Sequence, residues 1–181
     1  MEFLPAFINS LYTIRLEKFE DERGLFVRTF CKKEFMQINF DKEFVQFNHS
    51  QNKIKGTIRG IHFQYAPYKE YKLIRCIKGS VYDVAVDLRE KSPTFLQHFG
   101  IELNEENMLS ILIPEGFGHG FQTLSNDSAI IYHHTNYYES GAEAGIKFND
   151  PLLNINWPLP LSEISNKDKA YSHLPENFKG I

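Results

Sequence analysis

Three stretches of the chain gather side chains that could move a proton on and off carbon. The first runs from Lys55 to Lys72, KGTIRGIHFQYAPYKEYK, and carries Arg59, His62, Gln64, Lys69 and Lys72. The second, PEGFGHG from Pro114 to Gly120, holds His119. The third, IIYHHTNYY from Ile130 to Tyr138, holds Tyr132, His133 and His134. Removing a proton from carbon beside a carbonyl needs a base with a near-neutral pKa, for which imidazole is the usual choice. It also needs a cation or hydrogen-bond donor where enolate charge develops. Lys72 and His119 are of the right type for that role. A lone His62 would read as a core histidine bonded to backbone. Arg59, Lys69 and Lys72 close by weaken that reading, because a buried cationic cluster needs an anionic ligand or carboxylates. Tyr132 by itself reads as a core aromatic with its hydroxyl satisfied.

The elements that must hold these groups are strands. From Gly56 to Tyr138 one short apolar stretch follows another at a spacing of roughly 8–12 residues, the pattern of a sandwich or barrel. No helical period intrudes there, which argues against a parallel βαβ sheet. Strand parity places Ile58, Gly60, His62 and Gln64 on one face and Arg59, Ile61 and Phe63 on the other. It groups Val81, Asp83, Ala85 and Asp87 on an inner face, where the acids could orient a histidine or form a solvated stripe. Ile130, Tyr132 and His134 share a face, and His133 points the opposite way. Upstream, residues 1–10 read as a loose lead or short helix. Strands are expected over Tyr12–Leu16, Leu25–Cys31 and Glu43–Ser50, with a helix over Lys32–Phe40. The tail from Phe148 is extended and Pro-rich. A short helix then fits Leu161–Tyr171, with Ser162 and Ser165 as caps.

Composition narrows the function classes. A chain of 181 residues suits one domain, and 42% hydrophobic with 24% charged residues excludes a disordered chain. A net charge of −3 without a basic run argues against nucleic acid. Aromatics at 14% favour strands and a flat-walled pocket. Cys31 and Cys76 are too few for a disulfide framework and read as buried thiols in a reducing compartment. The N-terminus lacks a basic region, and no apolar run approaches the ~20 residues of a membrane span. A soluble cytoplasmic protein with no membrane partner is expected.

Taken together, FEDERGLF (19–26), NHS (48–50), KGTIRGIHFQ (55–64), KLIRC (72–76), GSVYDVAVDLR (79–89), IPEGFGHGF (113–121), YHHTNYY (132–138) and NDPLLNINWP (149–158) resemble the dTDP-4-dehydrorhamnose 3,5-epimerase family, in order and over nearly the whole chain. The resemblance implies an all-β cupin jelly roll with short peripheral helices and a C-terminal helical tail. It implies one domain over residues 1–181, with residues 1–50 exchanged between the subunits of a homodimer. Pro114 to His119 matches the second cupin motif, P-x-G-x-x-H. His62-Phe-Gln64 replaces the H-x-H of metal-binding cupins. Two histidines with Gln64 or Glu70 fall short of the three or more ligands a transition metal usually takes, so a metal-free pocket is expected.

The substrate implied is a nucleoside-diphosphate 4-keto sugar, whose keto group acidifies the neighbouring hydrogens without a redox cofactor. By the same resemblance His62 is the base, held by Asp168. Lys72 stabilises the enolate, and Tyr132 returns a proton on the opposite face. His119 contacts the sugar, and Tyr138 lines the pocket. Arg23, Gln46, Asn48 and Arg59 contact the nucleotide and diphosphate, with Arg23 coming from the partner subunit and Phe26 beside it on the same segment. The chain departs from the family at the base-recognition edge. Arg28 stands where members have a Glu, Phe47 replaces an acid, and His133-His134 replaces a Lys and a small residue. Those departures point to guanosine diphosphate, since guanine offers two acceptors to a guanidinium and Phe47 a stacking surface. The alternatives are therefore a GDP-linked 4-keto-heptose epimerase and a carbon-3-only epimerase for surface polysaccharide. A non-catalytic sugar-binding cupin is less favoured.

Overall fold

The computed structural model describes residues 1–181. Thirteen strands dominate: β1 Glu2–Pro5, β2 Tyr12–Arg15, β3 Lys18–Asp21, β4 Gly24–Val27, β5 Gln46–Asn52, β6 Ile58–Gln64, β7 Lys72–Lys78, β8 Ser80–Asp87, β9 His98–Asn104, β10 Leu109–Ile113, β11 Phe117–Thr123, β12 Ser128–His134 and β13 Glu143–Gly145. Two antiparallel sheets face each other as a jelly roll. One has six strands in the order β1-β2-β10-β7-β12-β5, the other five in the order β13-β6-β11-β8-β9. β3 and β4 form a separate hairpin.

Period-2 alternation explains the layers. Val81 and Ala85 of β8 enter a core between the sheets with Ile74, Ile111, Phe121 and Ile130. Their neighbours Val84 and Val86 pack on the outer face with Ile61, Phe63, Leu88 and Leu153. The apolar core fills one end of the roll. At the other end the inward positions turn polar, and a cavity opens.

Two N-terminal expectations are corrected. Residues 1–10 do not form a loose lead or helix: Glu2–Pro5 pairs with Tyr12–Arg15 and extends the six-stranded sheet. The pairing supplies backbone hydrogen bonds that a short segment lacks alone. The helix expected over Lys32–Phe40 is a single α-turn, α1 Lys32–Phe35, followed by a 3-10 turn Met36–Ile38. Asn39 at φ 57° ends it, a left-handed conformation that Asn tolerates better than most residues. What holds the turn is aromatic packing, with Phe35 against Phe3, Phe30 and Phe40. The C-terminal helix is also shorter than expected, α2 Asn166–Ala170, capped by Ser165, whose Oγ accepts from the Asp168 amide at 3.0 Å.

The parity expected for β6 fails at its centre. Against β11, His62 pairs with His119 but Arg59 pairs with Phe121, so β6 carries one extra residue. A bulge of this kind re-aims the residues beyond it. It puts Arg59 on the inner side with His62, not opposite to it. Gly60 makes it feasible: at φ +119° a side chain is disfavoured, and a Cβ there would lie 2.5 Å from Gly120 Cα.

The tail closes the fold. Ile58 N donates to Glu163 O at 2.9 Å, and Ile58 bridges Ile164. The Gln122 amide holds Leu159 by both its N–H and its C=O, each at 2.9 Å. The start of β6, which β13 does not reach, is thereby covered, and α2 lands beside it.

Candidate active site

A cavity of about 280 Å³ lies between the two sheets at their polar end. β6 contributes His62 and Gln64, β5 Gln46 and Asn48, β7 Lys72, and β12 Tyr132 and His134. Glu70, Tyr138 and Glu143 complete the rim. His62 belongs to the five-stranded sheet, whereas Lys72 and Tyr132 belong to the six-stranded one. The imidazole and the phenol therefore enter from facing walls.

His62 Nε2 lies 2.7 Å from Asp168 Oδ1, across 106 residues of sequence. An ionised carboxylate can only accept, so Nε2 carries the proton and Nδ1 keeps its lone pair. Asp168 is buried, and its other oxygen faces the Gly60 amide at 3.4 Å. Burial raises the Asp168 carboxyl, but the hydrogen bond and charge of His62 and the Gly60 amide outweigh it and hold it below its ordinary value. The acid stays ionised at neutral pH and orients the ring.

His119, opposite His62 on β11, donates from Nε2 to Asp83 Oδ2 at 2.9 Å. Burial, opposed by Asp83, lowers its pKa, and the ring is buried rather than part of the cavity lining. Asp83 is thus the histidine-orienting acid expected on β8. Asp87 is not: it accepts from Arg89, Ser92 and Thr94 and fastens the turn after β8.

Lys72 Nζ is 3.3 Å from Glu70 Oε1, and His134 Nδ1 is 2.9 Å from Glu70 Oε2, all three side chains being buried. Burial would raise the Glu70 carboxyl, but His134 and Lys72 more than compensate and keep it below its ordinary value. Burial raises the Tyr132 phenol, opposed by the positive charge of Arg59 and a hydrogen bond with the Asn48 side chain. A Tyr132 held protonated is suited to donate. Arg59 itself is at the exposed rim, with Nε donating to Asn52 Oδ1 at 2.6 Å.

Gln64 is no ligand in waiting. Its Nε2 donates to the carbonyls of Tyr68 and Tyr137, and its Oε1 accepts from the Glu139 amide. It ties two loops at the cavity mouth. Tyr138 hangs over the same mouth, its amide on Gln46 Oε1 and its hydroxyl on Glu143 Oε2. No group of three or more His, Cys, Asp or Glu side chains is arranged to hold a metal ion.

Several expected contacts lie outside this cavity. Arg23 and Phe26 project from the β3–β4 hairpin, where Arg23 pairs with Asp21 and Phe26 is 64% exposed. The hollow under that hairpin, about 740 Å³, is lined by residues of the hairpin alone and has no second wall. Arg28 does not meet a base edge either: its Nη1 donates to Glu34 Oε1 at 2.9 Å, while the other Glu34 oxygen takes the N-terminal amine. Phe47 alternates outward from Gln46 and Asn48 and stands edge-on to His133, away from the cavity. Neither residue therefore supports guanine. Conversely Glu143 and His134 line the cavity without being singled out by the sequence, which offers Glu70 only as a metal ligand. For His134 the signal was there, since it shares the face of Tyr132. Glu70 lies just outside β7, where strand parity has nothing to say.

No helix is long and apolar enough to cross a membrane. The family model described as dTDP-4-dehydrorhamnose 3,5-epimerase matches residues 5–176. The dTDP-4-dehydrorhamnose 3,5-epimerase of Shigella flexneri is 45% identical over 151 residues, 83% of each chain. Among solved structures, the dTDP-4-dehydrorhamnose 3,5-epimerase of Elizabethkingia anophelis superposes with a TM-score of 0.92 at 37% identity, covering 98% of both chains. The Legionella pneumophila epimerase, solved in complex with dTDP-4-keto-L-rhamnose, gives 0.91 at 38% identity over 95% of this chain and 92% of that one. With that match spanning both sheets and the tail that carries Asp168, the chain belongs to the dTDP-4-dehydrorhamnose 3,5-epimerase family, a family of isomerases.

Proposed function

We propose that this chain inverts carbons 3 and 5 of a dTDP-linked 4-keto sugar by proton abstraction and return through an enolate. His62 Nδ1 takes the proton from the carbon beside the keto group, with Asp168 holding the ring and stabilising the imidazolium that forms. Lys72 balances the charge that develops on the keto oxygen. Tyr132 delivers a proton to the other face of the planar enolate, which inverts the centre. The keto group supplies the acidity, so the reading calls for no metal and no redox cofactor. His119 and Tyr138 contact the sugar, and Gln46 and Asn48 reach toward the diphosphate. Arg59 at the rim, with Arg23 and Phe26 from a partner subunit, takes the diphosphate and nucleoside. The product feeds surface polysaccharide, and a cytoplasmic location fits the two free cysteines.

The observation that supports this reading best is the placement of an Asp-backed imidazole and a buried phenol on facing walls of one cavity. A protein that only binds sugar has no use for a base and an acid so opposed. Thymidine is preferred to guanosine because the named relatives act on dTDP sugars and Arg28 is engaged by Glu34.

The test is proton NMR of a dTDP-4-keto sugar in deuterated water. His62→Asn should cut deuterium wash-in by about 10²–10⁴, the usual worth of a general base. Tyr132→Phe should lower inversion more than exchange, because His62 can still remove a proton and hand deuterium back on the same face. Wash-in at the wild-type rate in His62→Asn would refute the assignment.

A further inference from the structure

His134 is buried in the cavity wall, yet the mechanism above does not use it. It makes two side-chain hydrogen bonds. Nδ1 faces Glu70 Oε2 at 2.9 Å, and Nε2 faces Asn48 Nδ2 at 3.2 Å. The first settles the second. A carboxylate only accepts, so Nδ1 carries the ring proton, and Nε2 of the neutral ring must accept. It therefore accepts from the Asn48 amide N–H. The Asn48 carbonyl is left facing Gln46 Nε2 at 3.4 Å, where an acceptor is required. With both ends specified, the amide has one orientation. Its nitrogen carries two hydrogens, one on His134 and one free to face the Tyr132 phenol, which lines the same cavity wall. Tyr132 pairs directly with Asn48 across β12 and β5, and its ring stands 5.0 Å from that of His134.

We propose that His134 is a positioning residue that acts through Asn48 on Tyr132, by fixing the tautomer of the chain Glu70–His134–Asn48. The fixed amide keeps an N–H donor turned toward the phenol. That donor strengthens as the oxygen gains charge on giving up its proton. Without His134 the Asn48 amide is free to turn over and present its carbonyl to Tyr132, where it would hold the proton back. The removal of the sugar proton by His62 on the facing wall does not pass through His134 or Asn48. His134 is thus tied to proton return and not to proton removal. The inference rests on the assignment of Tyr132 as the acid.

Two measurements test it, one independent of activity. Nitrogen-15 NMR of the ligand-free protein at neutral pH should show His134 with the proton on Nδ1; a proton on Nε2 would overturn the proposal. In deuterated water with a dTDP-4-keto sugar, His134→Ala should slow inversion about tenfold or more, with deuterium wash-in changed by less than about threefold. His134→Gln, whose amide again offers one donor and one acceptor, should restore most of the inversion. Equal loss of inversion and wash-in in His134→Ala would mean a structural role and sink the proposal, as would an unchanged ratio. Should His134→Ala not fold, His134→Phe keeps a ring in place without either nitrogen and must lower the inversion-to-exchange ratio in the same direction. Wild-type protein that neither exchanges nor inverts would refute the epimerase reading, and the tautomer measurement would still decide whether the chain Glu70–His134–Asn48 is set as described.

Discussion

Two histidines line the cavity and a third, His119, is buried opposite His62, and each gives one N–H to a carboxylate: His62 to Asp168, His119 to Asp83 and His134 to Glu70. One rule, that carboxylates accept and do not donate, therefore assigns three tautomers. The differences lie in what the other nitrogen meets. His62 presents a lone pair to a partly open cavity, His134 presents one to an amide, and only the first is placed to take a proton from substrate. Asp168→Asn should lower kcat on the order of 10²-fold by unfixing the His62 tautomer and removing the charge that stabilises imidazolium. KM should change less than about threefold, because Asp168, on α2, is buried against β6 and does not line the cavity. Steady-state kinetics checks this; a KM effect with kcat intact would place Asp168 in binding instead.

Among the elements, the decisive piece is the bulge in β6. It costs one ladder pairing and brings Arg59 round to the side of His62. It also lets β6 and β11 approach so closely that a Cβ at Gly60 would strike Gly120 Cα and the His119 carbonyl, at 2.5 and 2.7 Å. Gly60→Ala should destabilise the fold by about 2 kcal/mol or more through its positive φ alone, and urea melts would read it. A stability unchanged within about 0.5 kcal/mol would mean that the strands can part without penalty. The end of β8 supplies an element-level pH dependence. Burial raises the Asp87 carboxyl, but bonds from Arg89, Ser92 and Thr94 win and lower it from 3.8 to about 2. A carboxyl depressed in the folded state stabilises above its unfolded pKa and loses that contribution as pH falls through the folded value. Asp87→Asn should accordingly cost about 2 kcal/mol at pH 7 and almost nothing at pH 2. Melts of the two proteins across that window should converge as the pH falls.

For the whole molecule, the β3–β4 hairpin is the unfinished part. Phe19, Leu25 and Phe26 are 56%, 44% and 64% exposed on a two-stranded ribbon, an element that is marginal by itself in water. A second copy of the chain would cover those rings and receive Arg23. Light scattering should give twice the 21.1 kDa chain mass. Exchange in trans has a sharper signature. Arg23→Ala and His62→Asn proteins, each impaired alone, should regain activity when mixed and refolded together. One site of the mixed dimer then holds both intact residues. No recovery would mean that Arg23 serves its own subunit or none.

How far the sequence alone reached is clearest from residues that share a strand. Alternation put Tyr132 and His134 on one face and His133 on the other. It put Asp83 beside Val81 and Ala85, and the spacing of strands indicated the all-β class. Each of these depends on neighbours one or two positions away, and that is the range over which side-chain direction is set by the backbone. The motifs as a set carried the family. Long-range packing set the rest. The extra residue in β6 depends on how β11 packs against Gly60, so parity misplaced Arg59. The first ten residues look unstructured until a sheet edge receives them, and Glu2–Pro5 becomes a strand only by pairing with β2. Arg28 and Phe47 were chemically apt for a purine, but a partner six residues on and the outward side of a strand took them elsewhere. Asp168 meets His62 only because the tail is stitched along β6 and Ser165 caps a single helical turn there. No local rule joins residues 106 apart; the burial of the tail against the sheet does.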